Sequence, residues 1–273
     1  MGDWLLAHAP AIQFDALLVA FGAVAAWESF RPRATPGSAT ANRWFSNFAL
    51  AAASNAVTRL CLPIAGLALA IAARDNGWGL LNLVVLPAWL AFVVAVLALD
   101  VLQYVLHRIV HTVPLFWRVH KVHHSDVDLD CATTIRHHPL ESLLIGALEL
   151  PLLLALGAPP LAVLASAVLT TAVSTWSHAN VALPAQAERV LRHIVVTPDM
   201  HRIHHSVRDD ECNANFSMVF PWWDRCFRTL RVVSPDAHGR MRFGIAEAPR
   251  VADVTLMKSL AMPFRSAPVR IDA

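Results

Sequence analysis

Residues 80–111 read LLNLVVLPAWLAFVVAVLALDVLQYVLHRIVH, an apolar block that becomes polar only near its C-terminal end. As a single helix the block would extend roughly 48 Å, whereas the hydrocarbon core of a bilayer is only about 30 Å thick. We therefore expect a membrane span whose histidine-bearing end protrudes from the bilayer. His107 and His111 are four residues apart in that end, so a helix places both on one face.

The composition of the whole chain is that of a membrane protein. Of its 273 residues, 56% are hydrophobic and only 15% are charged, whereas a soluble domain carries about 25% charged residues. Residues 11–30, read as a retained span, and residues 48–73 are further candidate spans. Residues 143–176 contain two shorter apolar runs separated by GAPP at 157–160. Because proline and glycine interrupt helices, this pattern predicts a helical hairpin that returns to its starting side.

These segments predict an all-α fold, an integral membrane bundle of about four to five transmembrane or re-entrant helices with a cytosolic, histidine-rich helical cap. Arg31, Arg33 and Arg43 lie in or beside the connection between the first two spans, and basic loops face the cytoplasm. Counting spans from that loop places every clustered histidine on the cytoplasmic side. We expect a bacterial inner-membrane protein. The arginines are scattered, so the sequence does not indicate a nucleic-acid partner.

One histidine pattern occurs twice, as HKVHH at 120–124 and as HRIHH at 201–205. In a helix the first histidine lies about one turn from the other two, so we expect the three imidazoles to point the same way. HRIVH at 107–111 and a single histidine in SHAN at 177–180 add to these two boxes. The number of clustered histidines is then larger than the number of ligands that one four-coordinate ion can bind. Neutral imidazole is the commonest metal ligand, and we predict two metal ions. The nine candidate ligands are His107, His111, His120, His123, His124, His178, His201, His204 and His205.

Two carboxylates near the clusters are candidates for orienting the ligands. Asp100 precedes His107 by about two helical turns, and Asp199 precedes His201 by two residues. We expect both to accept hydrogen bonds from imidazole N–H groups, so that the other ring nitrogen faces the metal. The alternative for Asp100 is a buried residue bonded to arginine or to the backbone.

The residues leave the identity of the metal open. Affinity alone favours copper or zinc over Fe(II). HExxH is absent, and none of the clusters contains the glutamate that a zinc hydrolase uses as its base. A zinc-dependent membrane hydrolase and a non-catalytic haem or metal-binding membrane protein are the alternatives to an oxidoreductase.

The order of the motifs is similar to that of a known family. HRIVH at 107, HKVHHS at 120, RHHPLE at 136, SHAN at 177 and TPDMHRIHHS at 197 are followed by NANFSMVFPWWDRCFRTL at 213–230. Together they resemble the fatty acid hydroxylase superfamily, the sterol desaturase-like branch of membrane non-haem di-iron oxygenases. The resemblance covers roughly residues 80–230.

The resemblance implies two iron ions held by the nine histidines, with His138 as a further candidate ligand, and O2 as co-substrate. It implies hydroxylation or desaturation of a C–H bond in a lipid, such as a sterol or a fatty acyl chain, with the 143–176 hairpin as our candidate substrate wall. A separate electron donor (a cytochrome, a ferredoxin or a reductase) would be needed. Ala182 stands where fatty acid 2-hydroxylases have a further histidine, which argues against that subtype.

We therefore divide the chain into N-terminal transmembrane helices at 1–79, a di-iron catalytic domain at 80–230 and a C-terminal tail at 231–273. The repeated HxxHH is interpreted as two ligand triads, one from each side of the hairpin, that meet over a shared pair of metal ions.

Overall fold

The computed structural model describes residues 1–35, 37, 39–62, 66–248 and 250–265. Within these ranges the regular elements are helices, accompanied by two isolated β-bridges, so the all-α prediction is confirmed. The α-helices of the first two thirds are α1 Gly2–Ala7, α2 Ala9–Phe30, α3 Thr40–Cys61, α4 Gly66–Asn76, α5 Leu80–Leu83, α6 Ala88–Thr112, α7 Pro114–His124, α8 Pro139–Leu156 and α9 Pro160–Ser177. Those that follow are α10 Ala185–Leu191, α11 Pro198–His204, α12 Asp209–Cys212, α13 Trp222–Cys226, α14 Pro235–His238 and α15 Leu256–Ala261. Short 3-10 helices are formed by Cys131–Ile135, Val251–Asp253 and Met262–Phe264.

Among the described residues, five helical segments are long and apolar enough to cross a membrane. They are α2, the segment Thr40–Leu83 that contains α3 to α5, and the helices α6, α8 and α9. Their outward faces carry large apolar side chains such as Phe14 and Val19 on α2 and Trp89 on α6. Large exposed apolar side chains on such helices are expected where a protein faces lipid rather than water. The predicted span at 48–73 includes residues 63–65, which lie outside the described residues.

The helix that carries the first histidines is shorter than predicted. It begins at Ala88 rather than at residue 80, and α5 is a separate single turn. Pro87 explains the break, because proline lacks an N–H group and restricts the residue before it to extended conformations. With 25 residues, α6 still spans about 37 Å and exceeds the hydrocarbon core. His107 and His111 therefore lie at the end that reaches the membrane surface.

The long helices pack so that the ends of α8 and α9 meet at α7. Helix α9 lies against α2 and α6, α8 lies against α3, and α4 touches both α8 and α9. Small residues at the contacts, including Ala95, Ala158 and Ala162, allow the helices to approach closely. Glu141 at the start of α8 and His178 just after α9 both contact α7. The two helices thus return to one side of the bundle, as the hairpin prediction requires.

Two glycines make a tight backbone crossing at the opposite end of the bundle. Gly157 ends α8 in the left-handed conformation, with φ of 64°. Gly79 has φ of 90°, and a Cβ added to it would lie 2.3 Å from the Gly157 nitrogen and 2.4 Å from its Cα. Backbone atoms cannot move aside as the end of a side chain can, so the crossing requires glycine.

We expect Gly79→Ala to lower the free energy of unfolding by roughly 3 kcal/mol, from a backbone clash combined with an unfavourable positive φ. Gly77→Ala is the matched control, because Gly77 also has a positive φ of 69° but nothing lies within 4 Å of the added Cβ. That variant should lose only about 1 kcal/mol. Unfolding of both variants in detergent measures the difference, and equal losses would show that the crossing is not tight.

Candidate metal centre

The nine histidines predicted as ligands form two buried groups. Within each group, one ring nitrogen of every histidine lies within 4.8 Å of the corresponding nitrogens of the others. An ion about 2.1 Å from each nitrogen would hold two opposite nitrogens about 4.2 Å apart, so each group has the size of a single metal site. Group 1 consists of His107, His111, His120, His124 and His204, and group 2 consists of His123, His178, His201 and His205.

The two HxxHH boxes are divided between the groups, which corrects the expectation that each box forms one triad. His120 and His124 enter group 1 while His123 enters group 2. The second box is divided in the opposite sense, with only its middle histidine, His204, in group 1. Residues four apart lie on one helical face, whereas adjacent residues diverge by about 100° around the axis. Each box therefore supplies an i, i+4 pair to one group and its remaining histidine to the other.

Group 1 contains buried ring nitrogens that have no partner among the described residues. The Nε2 atoms of His120, His124 and His204 are of this kind. Leaving a buried polar atom unsatisfied costs about 1–3 kcal/mol. Several such atoms converging on one point are the arrangement that a bound metal ion would satisfy.

The Nε2 atoms of group 2 face one another. Nδ1 of His178 donates to the carbonyl of Ser174 at 2.7 Å, so a neutral ring leaves Nε2 with its lone pair. This Nε2 lies 3.2 Å from Nε2 of His123 and 3.0 Å from Nε2 of His201. His205 completes the group, with its Nε2 3.2 Å from that of His201. Four ring nitrogens gathered this closely form an arrangement that a metal ion would fit.

Hydrogen-bond acceptors behind the rings set which nitrogen is free in three group 1 histidines. Nδ1 of His107 donates to the Phe216 carbonyl and Nδ1 of His204 to the Ala214 carbonyl, both at 2.8 Å. Nδ1 of His120 lies 2.6 Å from the Glu141 carboxylate. An acceptor on Nδ1 fixes the tautomer and directs Nε2 towards the metal position.

The carbonyls of Ala214 and Phe216 belong to a loop that buried polar side chains hold in place. Asp224 accepts the amides of Phe216 and Ser217 at 2.8 and 3.0 Å. Asn215 has a positive φ of 55°, and its side chain donates to the Met200 carbonyl at 2.9 Å. The NANFSMVFPWWD segment therefore orients the metal-facing histidines through its backbone.

Asp100 belongs to this loop support rather than to an imidazole. Its carboxylate accepts the amides of Val219 and Phe220, both at 3.1 Å, and the indole N–H of Trp223 at 2.7 Å. The alternative considered for Asp100, a buried residue bonded to the backbone, is the one observed. Although Asp100 and His107 share a helix face, two turns separate them by about 10 Å.

Asp199 also differs from the prediction. Its carboxylate forms an ion pair with Arg33 and lies 3.6 Å from Nε2 of His238. Residues two apart in a helix point about 200° apart, so Asp199 faces away from His201. It links the segment after α2 to α11 instead of orienting a ligand.

His138 lies outside both groups. Its Nδ1 accepts the Leu140 amide at 3.1 Å, which caps α8, and its Nε2 lies 3.2 Å from the Leu260 carbonyl. Its neighbour His137 instead stacks on His123 with ring centres 4.6 Å apart. Both ring nitrogens of His138 are thus engaged away from the metal positions.

Two buried residues that sequence reasoning missed support α7. Glu141 lies between His120 and His137, at 2.6 and 3.1 Å, and its i, i+4 spacing from His137 was a signal available in RHHPLE. Arg136 is fully buried and donates to the Val122 carbonyl at 2.9 Å and to Asn47 at 2.7 Å. It thereby ties the end of the first box to α3.

Burial favours the neutral form of six histidines that follow the membrane-spanning part of α6, and neutral imidazole is the form that binds a metal. Desolvation, reinforced by neighbouring imidazoles, lowers the pKa of five of them well below the usual value and lowers the pKa of His178 to about 4. The five are His123, His124, His201, His204 and His205.

A cavity of about 280 Å³ borders both groups and lies between α6, α8 and α9. Leu106, Val110, Ile145 and Met218 provide apolar walls. Polar side chains, among them Gln103, Glu149 and Thr170, also line it. The predicted hairpin thus supplies part of the wall of a cavity that adjoins the histidines.

The family profile described as fatty acid hydroxylase matches residues 92–229. A very-long-chain aldehyde decarbonylase of Oryza sativa subsp. indica is 32% identical over 66% of this chain and 31% of its own length. An ornithine lipid hydroxylase of Rhizobium tropici is 34% identical over 46% of this chain and 38% of its own length. Alkylglycerol monooxygenase of Homo sapiens is 31% identical over 50% of this chain and 29% of its own length. The aligned region thus spans about a third of each of these relatives. No solved structure gives a significant match. The profile matches half of the residues of this chain. The chain therefore belongs to the fatty acid hydroxylase family.

Proposed function

We propose that this protein is a membrane-bound di-iron oxidoreductase that uses O2 to hydroxylate or desaturate a C–H bond of a lipid. One observation carries the proposal: two groups of buried histidines adjoin a cavity with apolar walls between candidate membrane spans. Residues 80–230 would form the catalytic domain. The relatives named as a lipid hydroxylase and as a monooxygenase support the same reaction class.

The nine histidines fit a pair of metal ions through the free nitrogens described above. When bound, an iron pair supplies the redox chemistry that reduces O2 and removes hydrogen from an unactivated C–H bond. Imidazole ligands also suit zinc and copper, so the choice of iron is a proposal supported by the family. The tautomers set by Phe216, Ala214 and Glu141 keep the ligand nitrogens ready to bind without reorganisation.

The cavity would position the lipid and exclude water from the reacting bond. Val110 and Ile145 provide apolar contact beside His107 and His120. Thr170 donates to Gln103 at 3.1 Å across the same space. A chain that enters between the spans would place one of its carbons against the histidine end of the cavity.

Both reactions require two electrons and two protons for each O2 consumed, and they yield water with either the alcohol or the alkene. We propose a separate cytochrome, ferredoxin or reductase as the electron donor, docking on the exposed side of the histidine-bearing end. In the orientation predicted from loop charge, that end faces the cytoplasm.

Metal analysis of detergent-purified protein from iron-supplemented cells tests the proposal. We expect about two irons per chain and, with a chemical reductant and ¹⁸O2, a change in co-purified or added membrane lipids. Hydroxylation inserts ¹⁸O into the lipid, whereas desaturation removes two hydrogens and leaves the label in water. Bound zinc with metal-dependent cleavage of an ester or amide would instead identify a hydrolase. Stoichiometric metal without either lipid reaction would indicate a metal carrier.

A further inference from the structure

A second cavity, of about 460 Å³, lies beside the end of α2 and the start of α3. Ser29 near the end of α2 and Thr40 at the start of α3 line it, together with Trp44. Because α2 and α3 belong to candidate spans, this position corresponds to the headgroup level of the membrane. The charged side chains that line the cavity are Glu28, Arg43, Asp128, Asp130 and Arg202.

Arg202 is buried and has no ion-pair partner among the described residues. It is 2% exposed, and among the described residues neither a hydrogen bond nor an ion pair engages its guanidinium. Its guanidinium carbon lies 4.6 Å from the centre of the Phe243 ring. The carboxylate of Asp199, which attracts it, already pairs with Arg33.

Most of the other charges in the cavity are matched. Arg43 forms ion pairs with Asp126 and Asp130. Glu28 accepts the amides of Cys131 and Asn180 through Oε1, at 2.9 and 2.7 Å. These contacts hold the walls of the cavity together, so they do not explain the charge on Arg202.

Asp128 is the second group without a direct partner, although its charge attracts Arg43 at longer range. Its half-buried carboxylate makes no hydrogen bond or ion pair within the described part of the chain. The cavity therefore contains one guanidinium and one carboxylate that are each free to bind a ligand. For the buried Arg202, an unpaired charge held away from water costs several kcal/mol, which a ligand of opposite charge would offset.

We propose that this cavity binds a zwitterion in which a phosphate or carboxylate contacts Arg202 and an ammonium group contacts Asp128. A plain anion is disfavoured, because three carboxylates and only two guanidiniums line the cavity. A plain cation would leave Arg202 unmatched. Phosphoethanolamine has the required charges, either as the headgroup of a phospholipid or as a free molecule. The position at headgroup level favours the phospholipid.

Native mass spectrometry of the delipidated full chain tests the site. The probes are dioleoylphosphatidylethanolamine, dioleoylphosphatidylglycerol and free phosphoethanolamine. We expect the ethanolamine lipid to bind at least about tenfold more tightly than the glycerol lipid. Arg202→Met should weaken its binding by about tenfold or more, and Asp128→Asn should abolish the preference between the two lipids. Arg208→Gln is the matched control, since Arg208 is exposed and pairs with Asp210 at 3.1 Å.

Thermal unfolding and the pattern of lipid binding separate a ligand site from a structural role of Arg202. Thermal unfolding of lipid-free Arg202→Met should occur at the native temperature or above, because the change removes an unmatched buried charge; a lower temperature would indicate a structural role instead. Equal affinity for both lipids, or unchanged binding in both cavity variants, would overturn the proposal. Comparable binding of free phosphoethanolamine would support the zwitterion site and identify the ligand as soluble. None of these measurements depends on iron or on turnover.

Discussion

Protein carrying His124→Ala is expected to lose the ion of group 1 and to retain that of group 2, leaving about one metal per chain in place of two. His205→Ala should do the reverse. Each substitution removes one imidazole from a single group of nitrogens, and loss of a ligand weakens a site far more than it weakens the fold around it. Elemental analysis of the two variants measures the stoichiometry, and lipid oxidation should fall to background in both.

His8→Ala is the control, because His8 is exposed at the N-terminal end of α2 and lies in neither histidine group. Its ring stacks on Trp4, and its Nδ1 lies 2.8 Å from the Trp4 carbonyl. It should keep the native metal content. The double variant with both ligands replaced should contain no stoichiometric metal. If either single variant retained the full native content, the division of the boxes between two sites would be wrong. When each single variant keeps one ion, a spectroscopic probe of that ion should distinguish His124→Ala from His205→Ala, since each variant leaves a different group intact.

Filling the cavity beside the histidines should abolish turnover while the metal remains bound. Ile145 lies on its wall, so Ile145→Trp would occupy a substantial part of the 280 Å³ available. We expect product formation to fall by about 100-fold or more, because misplacing the substrate by about 1 Å can already cost that much. The measurement is ¹⁸O incorporation or desaturation of added lipid, together with metal content on the same sample.

Leu152→Trp provides the matched control on the same helix, because Leu152 is 46% exposed on the face away from the protein. Its larger side chain would contact lipid and should leave turnover unchanged. Native activity in Ile145→Trp would show that the substrate binds elsewhere. Loss of metal in that variant would instead mean that the packing of α8 supports the ligands directly.

Much of the fold and the identity of the ligand histidines followed from local sequence. The spans at α2, α6, α8 and α9 were recognisable because a bilayer requires long apolar helices. Pro87 was a local signal for the later start of α6. The nine histidines were recognisable because their spacing within each box matches a helical turn, and the structure brings all nine into the two groups.

The supporting residues were less accessible to that reasoning. Asp100 was predicted to hold an imidazole from its position on the face of α6, yet it binds amides more than 100 residues later in the chain. Asp199 faces Arg33 rather than its neighbour His201. In both cases a helical repeat predicts which side chains share a face, but it does not predict which distant segment will pack against that face.

The sequence by itself determined that this protein is a helical membrane bundle and which histidines gather at one of its ends, because hydropathy and helical periodicity are local properties of the chain. Only the tertiary structure decided how those histidines divide into two groups and how the loop around Phe216 selects their tautomers. It alone placed Arg202 and Asp128 in the lining of the same second cavity. These features depend on contacts between segments far apart in sequence, where close packing and the need to satisfy buried polar atoms select one arrangement.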